Sequence, residues 1–338
     1  MSLSSAQSTN VSASGTTDVR PSQTTDVHAS ETTDVSASGT LDVSASGTPH
    51  VFPSETSGAR VRAQSPSRFR VRGTFAGNEL AVMFRRTRNI ALLVALAAIP
   101  IALGVAIKLT TRHQGGDGFI GQVSNNGLFL VFSALTVTLP VFLPLAVGVV
   151  SGDAISGEAG QGTLRYLLVA PVGRNRLLAV KGGALAVFCL VASVTVAVSA
   201  FVVGLILFPI GRVTLLSGES ITFGSALLKA VVITVLVAAS LLGLAAIGLF
   251  VSTLTDTAIA AMAVTVGVTI LSGILQSIPQ LSAIQPWLFT DQWTSFADLL
   301  RDPVYTPNIV HNLLIQALYV AVFGSAAWAR LSTRDVLA

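Results

Sequence analysis

Residues 157–163 read GEAGQGT, which has the glycine spacing of a phosphate-binding loop but carries Thr163 where such a loop needs a lysine. Without that cation nothing reaches the β and γ phosphates, and the segment follows an apolar run, not a strand of a nucleotide-binding sheet. The other reactive groups are scattered. Histidines stand at 28, 50, 113 and 311, with no HExxH and no pairing suited to zinc. Cys189 is the only cysteine, which excludes an intrachain disulfide and speaks against a thiolate metal site. No serine, aspartate and histidine set lies at one depth of the apolar runs, as an intramembrane hydrolase would need. We therefore assign no catalytic residue, no metal ligand and no bound cofactor. Nothing in the 338 residues reads as an ATPase domain, so nucleotide chemistry falls to a partner.

The elements that must carry whatever this chain does are membrane spans. Hydrophobic residues make up 51% of the chain and charged residues 11%, a balance outside that of soluble domains. Six runs free of Asp, Glu, Lys and Arg each hold about 20 residues, enough for a helix to cross a hydrocarbon core of about 30 Å. Because lipid leaves unpaired backbone groups unsatisfied, these runs are expected to be helices, near residues 90–108, 127–150, 182–208, 226–250, 258–277 and 309–329. The fold class is all-α membrane protein with six transmembrane helices. With the N-terminus inside, the cytoplasmic segments hold fourteen Lys and Arg, among them Arg85, Arg86, Arg88, Arg165, Arg174, Arg176 and Lys181. The opposite face holds five, Lys108, Arg112, Arg212, Lys229 and Arg301. The positive-inside bias predicts cytoplasmic N- and C-termini and a multi-pass protein of the cell (plasma) membrane.

Two domains are expected, a tail over residues 1–58 and a membrane domain over residues 59–338. The tail is built on an eight-residue repeat, TTDVRPSQ, TTDVHASE, TTDVSASG, TLDVSASG and TPHVFPSE, running from residue 16 to 55. Four aspartates and two glutamates against Arg20 give it a net charge of minus five, leaving plus nine for the rest and plus four in total. Each unit offers one valine and little else apolar, which favours a disordered acidic tail over a stacked β-helix. It has no charged start followed by an apolar core, so it is not a signal peptide. Residues 74–88 place Ala76, Leu80, Met83 and Phe84 at helical spacing, with Asn78, Glu79, Arg85 and Arg88 elsewhere around the turn. Two readings fit: an amphipathic helix in the membrane surface, its arginines on lipid phosphates, or a cytoplasmic extension of the first span.

Between the second and third runs, residues 151–181 form a polar island on the cytoplasmic side. Leu164, Leu167 and Leu168 fall on one face of a short helix opened by the glycine-rich turn, with Thr163 and Arg165 off that face. Pro171 and Gly173 end it. A second short helix carries Leu177, Leu178 and Val180 toward the third span. The island thus reads as a helical hairpin on the bundle's surface, and its length exceeds that of ordinary helix connections.

Asp153, Ile155, Gly157, Glu158, Gly162, Thr163, Leu164, Leu167, Leu168, Pro171, Arg174, Lys181 and Gly182 form a run that resembles the signature of ABC-2 type permeases, the transmembrane subunits of ATP-binding-cassette exporters. The resemblance covers residues from about 70 to 338 and extends to the layout of six spans. It implies two permease copies, as a homodimer or heterodimer, around a translocation path, with two copies of a separate ABC ATP-binding subunit beneath them. ATP and Mg would be bound by that subunit alone. Carried over, Thr163, Leu164, Arg165 and Leu168 form the coupling helix between spans 2 and 3, Gly162 belongs to its opening turn, and Pro171 ends it. Glu158 and Arg174 act as its polar contacts or as locks of the hairpin. In the segment between the fifth and sixth spans, Trp287 and Trp293 read as interface anchors, as aromatics at a membrane boundary commonly do. The resemblance also suggests a lid of half-inserted helices there.

These residues point to an exporter permease coupled to a partner ATPase. An alternative is a non-transporting membrane anchor or assembly component that uses a docked ATPase for mechanical work. A secondary transporter is disfavoured by the lack of ionisable residues inside the spans and of a visible inverted repeat. No nucleic-acid partner is expected, since the cationic residues sit where membrane topology requires them.

Overall fold

A computed structural model describes residues 68–114, 127–160, 174–209, 213–214, 220–301 and 303–333, all within the unit Gln64–Ala338. The repeat tail lies outside these residues. The described chain is built from helices: α1 (Arg68–Arg85), α2 (Thr87–Gln114), α3 (Phe129–Thr138), α4 (Phe142–Gly160), α5 (Arg174–Leu207), α6 (Phe223–Ser240), α7 (Leu242–Leu254), α8 (Ala258–Gln276) and α9 (Pro307–Thr333). A two-residue antiparallel pairing, Val213–Thr214 with Ser220–Ile221, follows α5, and three 3₁₀ turns occupy the stretch before α9.

Five helical stretches are long and apolar enough to cross a membrane, and six if the bent pair α3 and α4 is one span. Each of the six apolar runs of the sequence overlaps one of these stretches, the second of them the bent pair. The bend of 55° falls at residues 139–141, where Pro140 has no N–H for the carbonyl of Thr136 and its ring crowds that turn. Pro144 falls in the first turn of α4, where its missing N–H costs no intrahelical bond.

The stretch formed by α6 and α7 is the centre of the bundle: 67% of its most apolar part is buried, against at most 33% in the other four. It is also broken. At Leu241 the ladder tightens, its N–H bonding Ala238 O as well as Ala239 O, and α7 begins. A break in lipid exposes backbone donors that need partners. Gln316 of α9 supplies one, its Oε1 accepting from Gly243 N–H at 3.2 Å, while its Nε2 donates to Phe289 O at 2.7 Å. Asn312, one turn earlier, donates to Ser240 Oγ at 2.6 Å. A Cβ on Gly243 would lie 2.3 Å from Gln316 Oε1, so a larger residue here would displace the amide that caps the break.

Small residues let α4 approach its neighbours. A Cβ on Gly152 would meet Met262 N of α8 at 2.7 Å, and one on Gly248 of α7 would overlap Ser151. Close backbone approach of this kind is the usual basis of helix association in membranes.

The stretch before α9 folds back over one end of the bundle. Ser272 and Thr290 hydroxyls bond at 2.7 Å, Gln276 donates to Asp291 O at 3.0 Å, and Lys229 Nζ donates to Leu299 O at 2.8 Å. Lys229 therefore ties α6 to this segment. Trp287 is exposed, but Trp293 is buried, its ring edge-on to Phe289 with centroids 5.6 Å apart. Its indole is packed within the chain, so of the two tryptophans only Trp287 presents the surface an interface anchor needs.

Candidate functional site

The polar island leaves α4 at Gly160 and rejoins the fold at Arg174, the first residue of α5. What holds these two helix ends decides how the island can act. Both are fixed by partly buried ion pairs.

The first set centres on Asp153 in α4. Its Oδ2 accepts from Arg86 Nη1 and, at 2.6 Å, from Arg88 Nη2. Both arginines stand at the break between α1 and α2, which Asn89 stabilises by donating Nδ2 to Met83 O at 2.8 Å. The carboxylate lies back along its own helix, over position 157. A Cβ there would be 2.4 Å from Asp153 Oδ1, which explains a glycine four residues after the aspartate. Ser252 of α7 buttresses the same turn, its hydroxyl accepting from the N–H groups of Ile155 and Ser156 at 2.9 Å each. A side chain inserted into a helix ladder this way is a recognised source of local bending.

The second set centres on Lys181, whose side chain is 4% exposed. Its Nζ donates to Glu158 Oε1 of α4 at 2.6 Å and to Glu79 Oε1 of α1 at 2.8 Å. Three cations thus meet three carboxylates, joining α1, the start of α2, the end of α4 and the start of α5. Glu79, Met83, Arg86, Asn89, Asp153 and Lys181 line a cavity of about 40 Å³ between the two sets. The apolar side of α1 faces the same way: Met83 and Phe84 pack against the core, and Phe84 meets Phe188 of α5 with ring centroids 6.2 Å apart.

This geometry corrects three expectations. Arg86 and Arg88 bind a protein carboxylate, where one of the two sequence readings puts them on lipid phosphates, because α1 docks on the bundle through its apolar face. Residues 151–160 are helical, so the glycine at 157 sits within α4 and does not open a turn. Leu177, Leu178 and Val180 belong to the first turns of the 34-residue α5, with no separate second helix.

Of the residues singled out by sequence, Glu158 lies in the last turn of α4 and bonds Lys181. Gly162, Thr163, Leu164, Arg165, Leu168 and Pro171 fall outside the described residues, as does the side chain of Arg174. In the sequence Asp153 and Lys181 belong to the signature without a role, and Glu79, Arg86 and Arg88 belong to a segment that reads either as a surface helix or as an extension of the first span. The available signal was the recurrence of both charge signs at the ends of apolar runs on one side.

Among the described residues of the junction the carboxylates of Glu79, Asp153 and Glu158 are ion-paired, and no cluster of His, Cys, Asp or Glu is arranged to hold a metal. What it can do is transmit displacement, since moving any of four helix ends strains ion pairs shared with the others. No curated protein matches the chain. A family model described as ABC-2 family transporter protein matches residues 82–275, from the last turn of α1 to the end of α8 and through most of the junction. That match spans more than half of the sequence, and the chain belongs to this family as a membrane-embedded permease of the ABC transporter class.

Proposed function

We propose that the chain is the permease subunit of an exporter, forming the translocation path and coupling efflux to ATP hydrolysis on a separate ATPase subunit. Two ATPase copies, holding ATP and Mg, dock on the cytoplasmic island, and a second permease copy, identical or related, completes the path. Both termini are cytoplasmic in the plasma membrane. Thr163, Leu164, Arg165 and Leu168 form the coupling helix, Gly162 and Pro171 bound it, and Glu158 and Arg174 secure its base. The repeat tail over residues 1–58 is a separate appendage of the permease domain over residues 59–338.

The observation that carries this reading is the junction at the island's base. A loop that only connected two spans would gain nothing from having both flanking helices pinned to α1 through Lys181, Glu158 and Glu79. A body that receives force from below needs such a footing, because packed helices shift as units.

Charge reversal at Arg165 and proline at Leu167 test the coupling. In the purified complex of permease and ATPase, Arg165→Glu or Leu167→Pro is expected to leave membrane insertion intact and to separate ATP hydrolysis from transport. Full substrate-stimulated ATPase activity and full transport in both variants would sink the assignment. Retained ATPase docking with no transport of any compound by the native complex would favour mechanical work over export.

A further inference from the structure

Asn89, in the first turn of α2, commits only half of its amide to the protein. Its Nδ2 donates to Met83 O at 2.8 Å, whereas its Oδ1 is buried and accepts from no group among the described residues. The residue is 2% exposed, so bulk solvent does not supply the missing donor. A buried acceptor in that position retains the full cost of its desolvation.

Asn89 also lines the cavity of about 40 Å³ between the two ion-paired sets. Glu79, Arg86, Asp153 and Lys181 are the other charged or amide-bearing residues on its wall, and Asp153 and Lys181 are themselves buried. Space and chemistry together select the occupant. A water molecule needs about 10–15 Å³ of such space and two to four polar partners, so the cavity has room for about three. Ions fit less well. The three cations and three carboxylates of the junction already balance, so an added ion of either sign brings a charge that nothing here offsets. An anion would face Asn89 Oδ1 and two carboxylates, and a cation would face Arg86 and Lys181. Water is neutral and both donates and accepts.

We propose that this cavity is a binding site for ordered water, one molecule of which donates to Asn89 Oδ1. Its second O–H serves the carboxylate of Glu79 or Asp153, and its lone pairs take N–H groups of Arg86 or Lys181. The bridge ties the break between α1 and α2 to the start of α5 through a partner that can be exchanged. Val82 is exposed and Arg86 partly so, and both stand on the cavity wall, which leaves the water a way in and out. A helix end can then shift by trading one hydrogen bond for another, with no charge stripped of its counterion.

The test is a crystal structure of the full-length protein at a resolution that shows ordered water, from crystals kept in sodium chloride and from others soaked in rubidium bromide. A peak is expected at hydrogen-bond distance from Asn89 Oδ1, about 2.7–3.2 Å, with the same height in both salts and no anomalous signal. Ala184→Val puts two more methyl groups at the cavity wall, on a residue that is 6% exposed, and is expected to remove the peak. Its melting temperature checks that it folds, and the native crystals decide the question if it does not. Absence of the peak in the native protein would overturn the proposal. So would rubidium or bromide anomalous signal at that position, which would make the occupant an ion, or an undiminished peak in the filled variant.

Discussion

Lys181 shows how far the chemistry of this chain is structural. Its ammonium is buried between Glu79 and Glu158, and removing it leaves two carboxylates without their cation. Breaking a buried pair from one side costs about 3 kcal/mol or more, while replacing all partners by neutral groups costs far less. Lys181→Met is therefore expected to lower unfolding stability in detergent by about 3 kcal/mol. Adding Glu79→Gln and Glu158→Gln should restore most of it, and simple additivity of the three changes, read from denaturation curves, would contradict the buried triad. This site was half legible in the sequence. Asp153, Glu158 and Lys181 stood in a recognisable run, but Asp153 and Lys181 meet partners 65 to 102 residues away in the chain. A charge at the end of an apolar run reads as solvated until the helix that covers it is known, and α1 is that helix here.

At the scale of elements, the break between α6 and α7 is held open by another helix. Gln316 satisfies the N–H of Gly243 and the carbonyl of Phe289 together, so it links the broken span, α9 and the folded-back segment. Gln316→Leu removes both bonds and leaves buried backbone groups unpaired, at a cost of about 1–3 kcal/mol. Hydrogen exchange should then quicken at residues 242–246 well before it does in α5, and uniform protection across both stretches would count against this account. Helix positions were legible because an apolar run of sufficient length is a one-dimensional property. The break at Leu241 was not, since no proline or glycine pair marks it and its support comes from residues 71 to 75 positions further on. The bend at residues 139–141 has Pro140 to announce it. The continuation of α4 through residue 160 was hidden by its glycines, which the sequence suggested were a turn and which serve close packing and the seat of Asp153.

Across the whole molecule, the family match, the bundle and the junction all lie within the unit Gln64–Ala338. Removing residues 1–58 is expected to leave membrane insertion and the melting temperature of the bundle unchanged, as measured on full-length and truncated protein in the same detergent. Loss of insertion would assign the repeat a part in building the fold. The division into tail and membrane domain came from composition alone: one repeat unit offers a single valine to bury, whereas the rest of the chain is dominated by apolar runs. On the proposed function, the force that reaches the island arises on a separate ATPase subunit, which the sequence of one chain does not describe.

The ion-paired junction also sets a timetable. Glu79 and Lys181 are 102 residues apart, so at a synthesis rate of about 5–20 residues per second the ribosome delivers the lysine roughly 5–20 s after the glutamate. Asp153 reaches Arg86 and Arg88 earlier, and the last cation to arrive brings the six charges of the junction to a net of zero. Until Lys181 emerges the set holds three acids against two cations, and its arrival is expected to fix α5 on α1 and α4.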